Sequence, residues 1–294
     1  MNLPQVKGRL EKDYSLKKLN TWRIGGQAET VFWPENSNEL LDMLNWCQQN
    51  SLPIVLLGRG SNVLLPDKGL RGMVIVTTKI DSINWQEDRV QVGAGYSLIR
   101  LASEAALRGL QGLEFACGIP GTIGAGIAIN AGAHGGEIGN LVEEVKVLTA
   151  EGKILELNGE EIKFSYRDSS LVQNGYWVLE STIRLKAGGK SSDIREKMKT
   201  LKYKRRQTQP LEYPNAGSIF RNPPGHSAGQ LIEQAGWKGY RLGEAEVSEK
   251  HANFIINKGN AKADDVLELI SIVQQDIKDK YGLVLETEVK IVNS

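Results

Sequence analysis

Apolar residues in this chain follow two periods, and the change from one to the other marks out its elements. Leu40, Leu41, Leu44 and Cys47 share a face at helical spacing behind Asn36 and Glu39, which stand three apart as in a capping box, so a helix begins near residue 36. Residues 53–58, PIVLLG, are apolar on consecutive positions, the pattern of a strand covered on both faces. The runs AETVFW at 28–33, MVIVT at 73–77 and RVQVGAG at 89–95 read as further strands. Ser97 caps a second helix that carries Leu98, Leu101, Ala102, Ala105 and Ala106. A helix followed by a covered strand opens an α/β layer.

Farther on, VEEVKVLTAEGKILEL at 142–157 predicts two strands joined at Glu151 and Gly152, and WVLESTIRLK at 177–186 predicts another. Residues 191–209 are helical in period until Pro210 and Pro214 stop them. A helix, a glycine turn and the strand FIIN at 254–257 come next. A helix from about 263 to 280, with Val266, Leu269, Ile270 and Val273 in register, then precedes a strand LVLETEVKIV at 283–292. Together these predict a compact α+β domain. Residues 1–19 are polar apart from Leu16 and Leu19 and read as an arm or capping helix, while KAGGKSS at 186–192 is small and polar like a linker.

At 294 residues the chain exceeds one usual core, so two or three domains are expected. With 36 basic and 35 acidic residues its net charge is +1, which points to neither nucleic acid nor an anionic membrane as partner. Cys47 and Cys117 lie in apolar surroundings and read as reduced core thiols, and residues 1–20 hold no apolar stretch of the signal type, so a cytoplasmic location is expected. His134, His226 and His251 lack metal-ligand spacing, and no metal is expected.

The densest chemical signal is residues 118–139, GIPGTIGAGIAINAGAHGGEIG, with eight glycines in 22 positions. Ile119, Ile123, Ile127 and Ile129 argue against a flexible tether, and Pro120, Asn130 and the glycines leave too little apolar side chain for the ~20 residues of a membrane span. Ile127 and Ile129 alternate with small residues as in a strand, and the glycines are expected to form a cradle of backbone N–H groups for phosphate oxygens. LGRGSNVLL at 57–65 is a second glycine loop, either a strand-ending turn or a pyrophosphate contact; it lacks the third glycine of a Rossmann fingerprint. No P-loop lysine follows a glycine run and no G-x-S-x-G surrounds Ser218, so the chemistry is expected to reside in a cofactor. Lys197, Lys199, Lys202, Lys204, Arg205 and Arg206 make the 191–209 helix basic, as a solvated face or as a site for an anion or RNA.

NTWRIGG at 20–26, LGRGSNVLL, the central glycine stretch, SYRDS at 165–169 and NAGSIFRNP at 215–223 occur in the order found in the UDP-N-acetylenolpyruvoylglucosamine reductase family, which the chain resembles over nearly its whole length. The resemblance implies an α+β fold in which a two-subdomain FAD-binding module, like that of the vanillyl-alcohol oxidases, precedes a smaller α+β substrate domain. The implied ranges are an N-terminal arm at 1–19, an FAD-binding domain at 20–188 divided at about 80, and a C-terminal substrate-binding domain at 189–294. It further implies a cytoplasmic monomer of peptidoglycan synthesis that uses FAD and NADPH to reduce enolpyruvyl-UDP-N-acetylglucosamine to UDP-N-acetylmuramate.

By the same resemblance, cofactor contacts fall on Thr21, on Gly58, Arg59, Gly60, Ser61 and Asn62, and on Gly118, Gly121, Thr122, Gly124, Ala125 and Ala128. Tyr166 and Arg167 belong to the catalytic set, with Arg167 as the fixed cation that meets developing charge. Ser218 is implied as proton donor to C2, and Glu288 as an assisting glutamate that must be protonated or hydrogen-bonded. Arg221 stands where the family commonly has lysine, and the short path from Arg221 to His251 matches the family's shorter form, with Tyr240 or Arg241 as a substrate cap. Two rival readings remain open: a flavin oxidase of the same fold tethered through His134, and a non-catalytic nucleotide or RNA binder using the basic helix.

Overall fold

The structure, a computed structural model, describes residues 3–293; residues 1 and 2 of the expected arm and residue 294 of the expected C-terminal domain lie outside the described residues. Strand β1 (Arg9–Ser15) and a short 3-10 turn at Leu16–Lys18 stand where an arm or capping helix was expected, because this charged run carries no apolar stripe at helical spacing. After β2 (Gln27–Trp33), helix α1 (Ser37–Gln49) starts at Asn36, whose side chain accepts from the Asn38 and Glu39 N–H groups. Glu39 does not complete a capping box. Its buried carboxylate accepts instead from the N–H groups of Lys7, Gly8 and Glu35 at 2.8, 3.2 and 2.9 Å.

β3 (Ile54–Leu57), β4 (Val63–Leu64) and β5 (Leu70–Val76) follow, and a four-stranded sheet forms in the order β1-β2-β5-β3, with β3 and β5 parallel. β3 is an edge strand whose Ile54, Val55 and Leu56 are half-buried; β5 is the strand covered along most of its length. β6 (Ile83–Gln86), β7 (Arg89–Gly93) and α2 (Leu98–Leu107), capped by Ser97, lead to the glycine stretch. There α3 (Ile123–Ala128) replaces the expected strand: Ile123 and Ile127, one turn apart and fully buried, share a helix face. β8 (Gly132–Ala133) and β9 (Gly136–Glu137) close a small hairpin after it.

β10 (Val142–Leu148) and β11 (Ile154–Asn158) form the hairpin read from the sequence, followed by β12 (Phe164–Ser165), β13 (Asp168–Ser169), α4 (Ser170–Gln173) and β14 (Trp177–Arg184). A five-stranded antiparallel sheet results, in the order β11-β10-β14-β7-β6. The stretch at 186–192 is tied down: Lys186 and Gln111 exchange backbone hydrogen bonds of 2.9 and 3.0 Å, and Gly189 donates to the Gly109 carbonyl at 3.0 Å. Helix α5 (Ser191–Thr208) then buries Ile194 and Met198 in the core of this sheet. α6 (Ala228–Gln234), β15 (Arg241–Leu242), β16 (Ala245–Val247), β17 (Ile255–Asn257), α7 (Ala263–Tyr281) and β18 (Lys290–Ile291) complete the chain. The strand expected at 283–292 shrinks to β18, parallel to β4, since the preceding backbone bonds to the Ser218 segment instead.

The chain forms two compact units, neither continuous in sequence. The first is Met1–Glu11, Val31–Arg59 and Gly72–Arg205; the second is Lys12–Thr30, Gly60–Arg71 and Arg206–Ser294. This partition differs from the ranges 1–19, 20–188 and 189–294, because α5 packs with the first core while Trp22, Ile24 and Leu64 from early in the chain pack with α6, α7, β16 and β17 in the second.

Replacing Glu39 by alanine leaves three buried or half-buried N–H groups without their acceptor. We expect Glu39→Ala to lose about 2–3 kcal/mol of stability in urea titrations, and an unchanged midpoint would show that water replaces the carboxylate.

Candidate active site

In the first unit the glycine stretch is shaped by close packing. A Cβ on Gly124 would lie 2.7 Å from the Ala94 Cβ, one on Gly126 2.9 Å from Leu98 Cδ1, and one on Gly136 2.7 Å from Phe115 Cδ1. The expected row of inward N–H groups is largely used within the protein. Gly121 donates to Ile119, Ile123 to Tyr96, Gly124 to Ala94 and Gly126 to Thr122, all to carbonyls at 2.8 Å.

What this segment offers a ligand is different. The Thr122 hydroxyl is buried and has no hydrogen-bond partner, and a Cβ on Gly58 would sit 2.5 Å from it and 3.5 Å from the Ala125 Cβ. Gly58, Thr122 and Ala125 are thus brought together, with Arg59 and Ala125 exposed. An orphaned hydroxyl beside backbone bare of side chain fits the polar spine of an extended dinucleotide. Gly118 approaches α5, where a Cβ would meet Arg205 Cδ at 2.9 Å. Arg205 is half-buried, unlike the exposed Lys202, Lys204 and Arg206, so the basic helix is not uniformly a solvated face. Burial, then the nearby Arg205 and Lys204, push the His134 imidazole below its ordinary value, which keeps it neutral.

Tyr166 and Arg167 form the two-residue loop between β12 and β13, where Phe164 pairs with Ser169 and Ser165 with Asp168. Arg167 has φ +58°, a left-handed conformation that costs a side chain about 1 kcal/mol or more. Its guanidinium carbon lies 5.4 Å from the Tyr166 ring centroid. Both strands of this hairpin are fastened to the end of α3: Asn130 Nδ2 donates to the Ser165 carbonyl at 3.0 Å and Ser169 Oγ to the Ala128 carbonyl at 2.6 Å.

The second unit gathers four other motifs. Asn20 Nδ2 donates to the carbonyls of Leu16 and Ile24 at 2.7 and 2.8 Å and so sets the NTWRIGG turn, in which Arg23 has φ +58°. Thr21 N–H then donates to the Gly60 carbonyl at 3.1 Å and its hydroxyl to the Asn215 carbonyl at 2.7 Å. Asn62 Nδ2 donates to the Glu288 carbonyl at 3.1 Å, and the Asn62 carbonyl accepts from Lys290 at 3.0 Å.

Ser218 follows Gly217, which has φ +81° and donates to Asn215 Oδ1 at 3.0 Å. The Ile219 N–H donates to the Asn253 carbonyl at 2.8 Å, and the Asn253 amide closes on Phe220 from both sides, accepting from its N–H at 2.9 Å and donating to its carbonyl at 2.8 Å. On the opposite edge the Glu288 N–H donates to the Ile219 carbonyl at 2.7 Å and Arg221 N–H to Glu286 at 2.9 Å. The backbone of Glu288 is therefore joined to Ile219, the residue after Ser218, although the two are far apart in sequence. Asn253 N–H in turn donates to His251 Nδ1 at 3.2 Å, which requires that nitrogen to be unprotonated; burial holds the His251 imidazole below its ordinary value.

Sequence reasoning missed Asn130, Ser169, Asn215 and Asn253, whose partners are backbone atoms that no spacing reveals. Tyr240 and Arg241 are exposed, and Arg241 pairs with Glu244 at 2.5 Å. Among the described residues no group of three or more His, Cys, Asp or Glu is arranged to hold a metal ion, and no helix is long and apolar enough to cross a membrane.

Residues 209–292 match the family described as UDP-N-acetylenolpyruvoylglucosamine reductase, C-terminal domain, and residues 28–158 match FAD binding domain. A protein of Clostridium kluyveri (strain NBRC 12016) named UDP-N-acetylenolpyruvoylglucosamine reductase is 42% identical over 280 residues, covering 95% of this chain and 92% of the relative. The Symbiobacterium thermophilum protein named UDP-N-acetylenolpyruvoylglucosamine reductase 2 is 45% identical over 285 residues, 97% of this chain and 92% of that one. The crystal structure of the Thermus caldophilus UDP-N-acetylenolpyruvylglucosamine reductase superposes with a TM-score of 0.83 at 35% identity, over 97% of this chain and all of that chain.

A methyl group on Gly58 has no room beside Thr122. We expect Gly58→Ala to destabilise the fold by about 1–3 kcal/mol and to lower the flavin retained on purification, read from visible absorbance against protein. Wild-type melting and absorbance would show that the loop yields freely.

Proposed function

The chain belongs to the UDP-N-acetylenolpyruvoylglucosamine reductase family, and from that premise we propose how its residues divide the work of the reaction. The protein is an FAD-dependent oxidoreductase of peptidoglycan synthesis that reduces the enolpyruvyl group of UDP-N-acetylenolpyruvoylglucosamine. When bound, FAD supplies the two-electron carrier that links the reductant to this substrate. NADPH is the proposed reductant, the cytoplasm the proposed place, and a monomer the proposed state. Residues 20–188 are proposed to carry the cofactor, through Thr21, the loop at 58–62 and the segment from Gly118 to Ala128, and residues 189–294 the UDP-sugar, with the Thr122 hydroxyl as a donor to the cofactor.

Reduction at C3 of the enolpyruvyl group throws negative charge onto C2 and its carboxylate. Arg167, a permanent cation with planar donors, meets that charge, and Tyr166 supports the guanidinium through its ring face. The Ser218 hydroxyl donates the proton to C2, and Glu288 assists it. The observation that supports this assignment is the hydrogen bond from the Glu288 N–H to the carbonyl of Ile219, the residue after Ser218, which ties the two distant segments together. A hydroxyl is a weak acid, adequate here because a carbanionic enolate is a strong base.

Ser218→Ala tests the assignment by separating the two halves of turnover. Bleaching of the flavin by NADPH is expected at the wild-type rate, while anaerobic reoxidation by UDP-N-acetylenolpyruvoylglucosamine slows by roughly 10²- to 10⁴-fold. Equal slowing of both halves would make Ser218 a residue that positions the cofactor, and unaltered reoxidation would remove it from the mechanism.

Arg167→Lys keeps the charge and discards the planar fork. Flavin content should be normal and turnover lower by about 2–4 kcal/mol in activation free energy, as for a lost oxyanion donor; loss of flavin would instead make Arg167 a folding or cofactor residue.

A further inference from the structure

Arg167 rides on a short hairpin, whose pairing continues beyond β12 and β13 through Lys163 and Ser170: the Ser170 N–H donates to the Lys163 carbonyl at 3.0 Å and the Lys163 N–H to Ser170 Oγ at 3.1 Å. Two residue pairs join β12 and β13, and an isolated two-stranded hairpin is marginal even when longer. The loop also contains a left-handed arginine, at φ +58°, where glycine or asparagine would be at ease. Some outside constraint must fix it.

One constraint from outside the hairpin is Asn130, which is 1% exposed and stands just beyond the end of α3. Both ends of its amide are engaged: Nδ2 donates to the Ser165 carbonyl at 3.0 Å, and Oδ1 accepts from the Gly139 N–H at 3.0 Å. Ser165 is the last residue before the Tyr166–Arg167 loop. Ser169, fully buried, grips the other strand through its 2.6 Å bond to the Ala128 carbonyl. Gly139 is kept bare to admit this arrangement, since a Cβ there would lie 2.6 Å from Phe164 Cγ and 2.9 Å from Asn130 Oδ1. Asn130 itself has φ +46°, a region in which asparagine is among the few tolerated side chains. Its chemistry is specific as well: aspartate lacks the donor, alanine both groups, and glutamine adds a methylene to a closed site.

We propose that Asn130, acting through the Ser165 carbonyl and seconded by Ser169, is a positioning residue for Arg167 in the reduction of the enolpyruvyl group; this rests on the role given to Arg167 above. The end of the glycine segment and the arginine loop thereby move as one piece. A shift of about 1 Å in a positioned group can cost on the order of 10²-fold in rate.

The test uses flavin-loaded enzyme. Asn130→Asp keeps size and the acceptor for Gly139 but sets an oxygen against the Ser165 carbonyl. Asn130→Gly keeps the left-handed backbone and removes the amide, and Ser169→Ala removes the second tie should the residue 130 variants fold poorly. For each, flavin bleaching by NADPH and anaerobic reoxidation by UDP-N-acetylenolpyruvoylglucosamine are timed, alone and combined with Arg167→Lys. The expected result is bleaching within about twofold of wild type, reoxidation slowed by roughly 10- to 100-fold, and almost no further slowing when Arg167 is already lysine, the mark of groups that act as a unit. Equal slowing of both halves, or effects that multiply fully with Arg167→Lys, would overturn the proposal and leave Asn130 a purely structural residue. If Arg167→Lys slows reoxidation while the Asn130 and Ser169 variants do not, the proposal fails and the reading of Arg167 survives. Wild-type reoxidation by Arg167→Lys would defeat both.

Discussion

Irregular backbone cannot be buried unless its N–H and C=O groups find partners, and almost all of the candidate site is irregular backbone. Asparagine amides meet that requirement throughout this chain. Asn20 holds the turn that presents Thr21, Asn215 the approach to Ser218, and Asn253 the residues directly after it. Asn257, 2% exposed, donates to the Trp22 carbonyl at 3.0 Å while its oxygen accepts from Gly259 and Ala261. Each amide acts as a fragment of strand placed where no strand can run, giving one donor and one acceptor from a short, stiff side chain. Remove such a fragment and the segment it serves is left with unpaired groups in a dry environment, so these residues fix the backbone on which the candidate side chains stand.

Glycine has the complementary task. In the central segment most glycines make room for neighbours, as at Gly124 against Ala94, whereas among them Gly135 alone has a positive φ, at +83°. The backbone there is closely covered on its inner side, and its hydrogen bonds run inward to carbonyls of Ala94 and Tyr96. The Thr122 hydroxyl, buried beside the bare Gly58, is the polar group of this segment that those bonds leave without a partner.

Elements with long, clean periodicity were legible: α1, α2, α5, α7 and the β10–β11 hairpin lie where the apolar spacing puts them. The segment at 123–128 was not, because Ile127 and Ile129 satisfy an alternating pattern while Ile123 and Ile127 satisfy a helical one, and only packing against Ala94 and Leu98 decides. At 283–292 the alternation is real, since Leu285 and Val289 are buried, yet most of its backbone partners belong to the Ser218 segment rather than to a sheet. The linker-like composition of 186–192 was equally uninformative, as small residues there admit a close backbone crossing. Catalytic candidates were visible only through motif order. The asparagines that hold them were silent, because a residue whose partner is a distant carbonyl leaves no local trace.

The discontinuity of the second unit has a consequence for biosynthesis. Trp22, Ile24 and Leu64 leave the ribosome early, but the helices α6 and α7 that cover them, and the strand β18 that pairs with β4, follow much later in the chain. Throughout elongation of the intervening chain these apolar side chains and the unpaired edge of β4 have no native surroundings. Contacts of such sequence separation form slowly and invite association in the meantime. The second unit therefore closes only after α6, α7 and β18 have all been made.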